Sequence, residues 1–340
     1  YWNKGEKIDN NFYVKANYKY SEATNLYIDL QKRSINYNFE GFNNEGKPAL
    51  QEVSLDFFNP KIGLHHYLNK NQYLYASLSV GNKEPNRNDY IESTPNSRPK
   101  YETLYDTEIG FKHASDKLIL SLNIYHMNYE NQLVLTGQIN DVGAYTRTNI
   151  DQSFRKGIEI EANYRISDKI LWAGNMTLSE NKIISYSAYI DNWDTGEQET
   201  IDYKNTDLAF SPNVIWASIL NYKLNKNSSI DFISKYVGKQ FIDNSSSEDR
   251  ILNDYVVNNL RLSYQWNSQV FKTAKITFLI NNILSNEYVS NAWVYRFVSD
   301  YWDPRGSDPY VNSDSERGYN MAGYFPQATR NYLFGFQLGF

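Results

Sequence analysis

The stretch "NYLFGFQLGF", Asn331 to Phe340, alternates large apolar side chains with small or polar ones up to a terminal phenylalanine. Successive side chains of a strand point to opposite faces. Tyr332, Phe334, Phe336, Leu338 and Phe340 therefore share one face, and Gly335, Gln337 and Gly339 share the other. Such an apolar face packs on a core in a soluble protein and meets lipid in a transmembrane barrel, where the polar side turns to the lumen.

Composition favours the barrel. The 340 residues include 30 Tyr, 17 Phe and 7 Trp, yet the mean hydropathy is only −0.64. The longest apolar runs, "ITFLI" at 276–280 and "VIWASIL" at 214–220, fall far short of the roughly 20 residues a membrane helix needs. Aromatic richness without long apolar runs suits an outer-membrane barrel. The absence of cysteine excludes disulfides, thiol catalysis and Cys-based zinc sites. Charges of both signs are scattered around a net −5, which leaves no basic stripe for a nucleic-acid partner. The opening "YWNKGEKIDNNFYVK" has neither an initiator Met nor the layout of a signal peptide, and reads as part of a longer or processed protein.

Period-two patterning recurs along the chain. In "NNFYVKANYKY" Phe12, Val14, Ala16, Tyr18 and Tyr20 alternate with Tyr13, Lys15, Asn17 and Lys19; in "KLILSLNIYHMNY" Leu118, Leu120, Leu122 and Ile124 alternate with Ile119, Ser121, Asn123 and Tyr125. The connections fall into two length classes. Short turns at 21–24, 69–71, 114–117, 167–168, 225–228 and 267–272 alternate with long polar excursions near 39–50, 82–101, 131–145, 186–206, 240–252 and 297–327. In an antiparallel meander this places all short turns at one end and all long loops at the other, the layout of outer-membrane barrels. The chain then holds thirteen strands, near 10–20, 24–38, 51–68, 72–81, 102–113, 117–130, 146–166, 169–185, 207–224, 229–239, 253–266, 273–296 and 329–340. The fold class is all-β, a transmembrane antiparallel barrel. Single-chain bacterial barrels have even strand numbers, so an odd count predicts a C-terminal part of one larger barrel domain, occupying residues 1–340 here, with the remaining part of the same barrel as its partner.

Several segments carry a family resemblance. "YLYASLSVGNKEPNRNDY" and "RPKYETLYDTEIGFKH", with Lys83, Glu84, Pro85, Arg87, Tyr90, Glu102, Tyr105, Glu108, Gly110 and Lys112, are followed by "RKGIEIEANYRISDKILWAGNMTLSENKI", "LINNILSNEYVSN" and "GYFPQATRNYLFGFQLGF". In order and spacing these resemble the C-terminal half of TonB-dependent outer-membrane receptors. The resemblance implies a twenty-two-stranded barrel around a plug, a size of barrel known to be plugged. It implies a Gram-negative outer-membrane location with lipid around the wall. It also implies import of an iron chelate, a ferric siderophore first among the cargoes, powered by a TonB-type energy-transducing complex acting through the plug. Haem, cobalamin, a glycan or a peptide are alternative cargoes, and a passive porin or adhesin is a further alternative. In this family the closing strand carries an aromatic signal for the barrel assembly machinery, here Tyr332, Phe334, Phe336 and Phe340.

The residues themselves offer little chemistry. Adjacent His65 and His66 point to opposite faces of a strand, His113 sits beside a short turn, and His126 shares the parity of Leu120, Leu122 and Ile124. No metal or cofactor site follows, and residues 86–100 contain no His of the kind haem importers carry there. With no nucleophile motif and poorly placed histidines, no catalytic residue is assigned and the protein is read as a non-enzyme. The acids of "IDNWDTGEQETID" lack calcium-loop spacing. Ligand contacts are expected on the long loops, where aromatic and arginine side chains can stack on and pair with a ligand. The candidates are Arg87, Tyr90 and Arg98 in the second long loop, Trp193 in the fourth, and Trp302, Arg305 and Tyr319 in the last.

Overall fold

A computed structural model describes residues 2–43, 46, 48–91, 93, 98–139, 145–267 and 271–339. The strands are β1 (Trp2–Lys19), β2 (Thr24–Phe42), β3 (Gln51–Asn69), β4 (Gln72–Lys83), β5 (Glu102–Ala114), β6 (Leu118–Ile139), β7 (Tyr145–Arg165), β8 (Ile170–Asn192), β9 (Gln198–Asp207) and β10 (Val214–Lys223). They continue as β11 (Ser228–Val237), β12 (Gln240–Phe241), β13 (Ile251–Leu252), β14 (Tyr255–Trp266), β15 (Thr273–Asn281), β16 (Val289–Val298), β17 (Val311–Ser313), β18 (Tyr319–Pro326) and β19 (Asn331–Gly339). One five-residue helix, α1 (Arg87–Ile91), and a 3-10 turn at Pro304–Gly306 complete the regular elements among the described residues.

The wall is an antiparallel ladder running β1–β8, then β10, β11, β14, β15 and β19, which gives thirteen strands. The ladder does not close on itself: among the described residues β1 and β19 pair on one side only. Register carries the parity of the C-terminal strand around this wall. One row of directly paired residues reads Tyr18, Leu26, Leu64, Ala76, Ile109, Ile124, Ile158, Leu178 and Val214. Another reads Tyr222, Ile230, Leu262, Phe278 and Phe334. These side chains stay open to the surroundings, with Ile109 56%, Ile124 58% and Phe334 65% exposed. An apolar belt this extensive is not left bare by a soluble monomer; it is a lipid-facing surface.

One residue along, the row turns to the other face and reads Tyr27, Gly63, Ser77, Glu108, Tyr125, Gly157 and Ser179. Here tyrosines lie over glycines on the neighbouring strand. Tyr27 covers Gly63, Tyr75 covers Gly110 and Tyr125 covers Gly157, each a directly paired couple. A methyl group on Gly110 would sit 2.2 Å from Cζ of Tyr75. The same face carries the polar contacts Tyr75 Oη to Asn123 Oδ1 at 2.9 Å and Arg261 Nε to Asp231 Oδ2 at 2.8 Å. His65 takes this inner face and His66 the outer one, as their adjacency requires.

The long connections depart from the irregular excursions expected. Residues 186–206 are largely strand: β8 runs on to Asn192 and returns as β9, paired from Lys182–Asp207 to Asp191–Gln198. Buried positions on β8 shift from Asn181 and Ile183 to Ile190, with Tyr186 partly buried on the same side, an odd-to-even switch opposite Asn205, whose φ is +54°. The strand expected over 207–224 is β10, which begins only at Val214, while β9 occupies the end of the expected excursion. The one expected over 273–296 breaks at Asn282, where β16 leaves the wall and pairs with β18 instead. Asn282 has a φ of +48° and is buried; its side chain accepts from Asn286 N at 3.0 Å and donates to Asn286 O at 2.8 Å and Ala328 O at 3.2 Å. That amide ties the departure and return of the last excursion to one point.

The covered glycines give a direct test. Gly110→Ala forces Tyr75 off its neighbour, and overpacking of this kind costs about 1–3 kcal/mol. The urea midpoint of the detergent-purified barrel is expected to fall, and Tyr75→Leu in the same chain to restore it. Gly81→Ala, which meets nothing within 4 Å, is the matched control.

Candidate ligand-binding surface on the long loops

The excursion between β15 and β19 folds back onto the β8–β9 hairpin. β16 runs parallel to the end of β8, pairing Phe297 with Asp191 and Val298 with Asn192. Trp193 N–H donates to Val298 O at 2.9 Å, and Asp194 accepts from Ser299 Oγ at 2.9 Å and from Asp300 N at 2.5 Å. Under this junction Ile242, Leu252, Ala292 and Val294 form an apolar cluster.

A buried ionic network anchors the same region. Arg250, wholly buried, reaches Asp243 at 2.7 Å, Glu316 at 3.0 Å, Ser245 Oγ at 2.7 Å, and Asp314. Arg296 reaches Asp314 at 3.1 Å, Glu316 at 2.9 Å and the Tyr203 hydroxyl at 2.9 Å. Two guanidiniums thus join residues from the 240–252 loop, β9, β16 and the 314–316 turn. Burial alone would raise the Asp314 carboxyl, but Arg250 and Arg296 outweigh it and hold it below the usual carboxylate range. Burial pushes the Tyr203 phenol up to about 12, helped by its bond to Glu316. A second, more exposed tie is Arg317, which forks between Glu199 at 3.1 Å and Asp300 at 2.8 Å.

Four of the seven candidate residues gather above this anchor. The Trp193 ring lies on the buried Phe297 ring with centroids 3.8 Å apart and planes 12° apart. Trp302 stacks on Trp193 at 6.1 Å, and Tyr319 stacks on Phe297 at 5.6 Å. The Arg305 guanidinium sits 5.8 Å over the Tyr319 ring while held by Asp303 at 2.6 Å and Ser313 Oγ at 2.7 Å. Asp303 is correspondingly lowered to about 2 by its bonds to Arg305.

The other three lie apart, around the tops of β1–β3. Arg87 is tied to Asn3, donating to its backbone O at 3.1 Å and to its side-chain Oδ1. Tyr90 is 3% exposed and packs with Phe39, Ala49 and Ile91; its backbone O accepts from Gln51 at 2.6 Å. Arg98 is exposed beside a cleft lined by Gln51, Val53, Tyr90, Lys100 and Tyr101. Glu84, in the motif that opens this loop, is held by Lys7 at 2.6 Å and Arg33 at 2.8 Å. Of the four residues expected to form an assembly signal, Tyr332, Phe334 and Phe336 face outward on β19, and Phe340 lies outside the described residues.

Sequence reasoning missed Phe297, Arg250, Arg296, Asp314 and Tyr203. No local pattern marks them, since Arg250 and Asp314 meet across 64 positions of chain.

Arg250→Met leaves Asp243 without its buried partner and Asp314 with Arg296 alone, and breaking buried pairs of this kind costs roughly 3–5 kcal/mol. Faster proteolysis within 299–318 is expected, with the wall itself still folded. Because the folded Asp314 value is depressed, its contribution is present above the unfolded value of about 3.9 and is lost as the pH falls through the lower folded one. The wild-type loop should therefore open to an acid-active protease only below about pH 4. An unchanged cleavage rate in Arg250→Met would show that the network does not hold the loop.

Comparison with known proteins adds the family. Sequence comparison with curated proteins finds no match. Among solved structures, the ferric-catecholate import receptor Fiu from E. coli K12 in its closed form aligns over 98% of this chain and 44% of its own, at 16% identity and a TM-score of 0.68. The siderophore receptor PiuA from Acinetobacter baumannii aligns over 95% of this chain and 44% of its own, at 16% identity and a TM-score of 0.67. The copper transporter OprC aligns over 96% and 47%, at 14% and 0.68. The chain thus spans less than half the length of these proteins, whose likeness is one of fold. The family profile described as "TonB dependent receptor-like, beta-barrel" matches residues 1–283. With its lipid-facing belt, short turns at one end and long loops at the other, the chain belongs to the TonB-dependent receptor family of β-barrels, transport proteins of the Gram-negative outer membrane rather than enzymes.

Proposed function

We propose that this chain contributes the wall and part of the outer capture surface of an importer for an iron chelate, with a ferric siderophore as the leading cargo. The observation that carries the reading is the aromatic shelf of Trp193 and Trp302. It is open to solvent, backed by buried Phe297 and fixed by the Arg250–Asp314–Arg296 network on the long-loop side of a TonB-dependent barrel. A surface held this rigidly loses little entropy on binding a ligand. Fiu and PiuA are described as a ferric-catecholate import receptor and a siderophore receptor, which supports iron. OprC is described as a copper transporter, so the fold alone does not choose the cargo.

On this reading the loops bind, the wall positions them in the outer leaflet, and a TonB-type complex drives release through a plug within the barrel. Outward Tyr332, Phe334 and Phe336 then serve the closing strand as a membrane anchor and as the signal read by the barrel assembly machinery.

A clean deletion in iron-restricted cells is expected to abolish growth on at least one ferric chelate and uptake of that radiolabelled chelate. Replacing both Trp193 and Trp302 by Ala in the full-length protein should weaken capture by more than tenfold while leaving the barrel assembled. Undiminished uptake of every iron source by the deletion strain would sink the iron assignment.

A further inference from the structure

The sign of the charge around the shelf is uneven in a way that bears on its ligand. Residues 186–206, 239–252 and 296–327 carry 13 Asp and Glu against 6 Lys and Arg, a formal −7, whereas the whole chain carries −5. Five of these six cations are engaged by carboxylates, and the sixth, Lys204 on β9, is exposed. Arg305 is held by Asp303, and Arg317 by Glu199 and Asp300. Arg250 and Arg296 are consumed by Asp243, Asp314 and Glu316, and Lys239 by Glu248 at 2.6 Å. Asp191 and Asp194, which flank Trp193, bond only to neutral donors among the described contacts: the Tyr295 hydroxyl, Gln198, Ser299 and a backbone N–H.

The shelf itself is aromatic and partly bare. Trp193 is 46% and Trp302 51% exposed, and the indole N–H of Trp193 is directed to the Tyr295 hydroxyl at 3.1 Å. Indole faces attract cations, and Trp is the strongest side chain in this respect. A surrounding excess of carboxylate raises the local concentration of cations and repels anions, more so at low salt.

We infer that the Trp193–Trp302 shelf is a site for an organic cation, so that the cargo captured there presents an ammonium or similar group. A polyanionic chelate would meet acids without a free guanidinium to pair with. This deepens the import reading and rests on it for the shelf's role in capture, but the binding chemistry can be tested without transport.

The experiment uses full-length protein in detergent and two probes of matched size, benzyltrimethylammonium and benzenesulfonate, followed by saturable quenching of tryptophan fluorescence. The cation is expected to bind at least tenfold more tightly than the anion, with the preference shrinking as salt rises from 50 to about 500 mM. Trp302→Leu should reduce cation binding at least tenfold, while Trp302→Phe, which keeps a π face, should retain most of it. Equal or tighter binding of benzenesulfonate, no saturable binding of the cation, or cation binding indifferent to Trp302→Leu would each overturn the inference. Cation binding in a protein whose deletion leaves iron uptake untouched would instead overturn the import reading and leave the site standing.

Discussion

A strand in lipid has no water to satisfy its backbone, so each wall strand must be paired and must keep one face apolar along its membrane span. Period-two geometry makes this unforgiving, because a slip of one residue moves every side chain to the wrong medium. The unbroken row from Tyr18 to Val214 shows the constraint propagating strand by strand. Everything at the long-loop end is built on strands whose register is already settled.

Beyond the lipid the rules change. Water can satisfy either face, so the ends of β8 and β9 reverse their buried parity around Asn205 without penalty to the wall. There, ion pairs act beside small apolar clusters such as that of Ile242, Leu252, Ala292 and Val294. The network around Arg250 and Arg296 is expensive to desolvate, and its worth lies in geometry more than in net stabilisation. Four segments can meet in one arrangement only if each supplies its charge, or for β9 its Tyr203 hydroxyl, at the right place.

The division between legible and hidden features follows the same boundary. Alternation in "NYLFGFQLGF" and "KLILSLNIYHMNY" reveals the wall because a single physical requirement acts on every second residue. The alternation of short and long connections reveals its polarity. The hairpin of β8 and β9 stays hidden, since "IDNWDTGEQETID" is polar on both faces and pairs through its backbone. The break at Asn282 is hidden too, because apolar residues resume in β16 after the seven positions 282–288. Trp193, Trp302, Arg305 and Tyr319 were recognisable as residue types suited to a ligand, and the fold brings them together. Tyr90 has the same composition signal but lies in a core with Phe39, a difference that only tertiary packing decides.

The side chain of Asn282 has a wider implication. By bonding Asn286 and Ala328 together it makes the excursion from 283 to 328 begin and end at one point of the wall. Ring closure is then settled at the base, and lengthening such a loop adds only a slowly growing entropic term. The outer segment can be lengthened, shortened or exchanged through evolution while β15 and β19 keep their pairing. A barrel built this way can change what it catches without relearning how to fold.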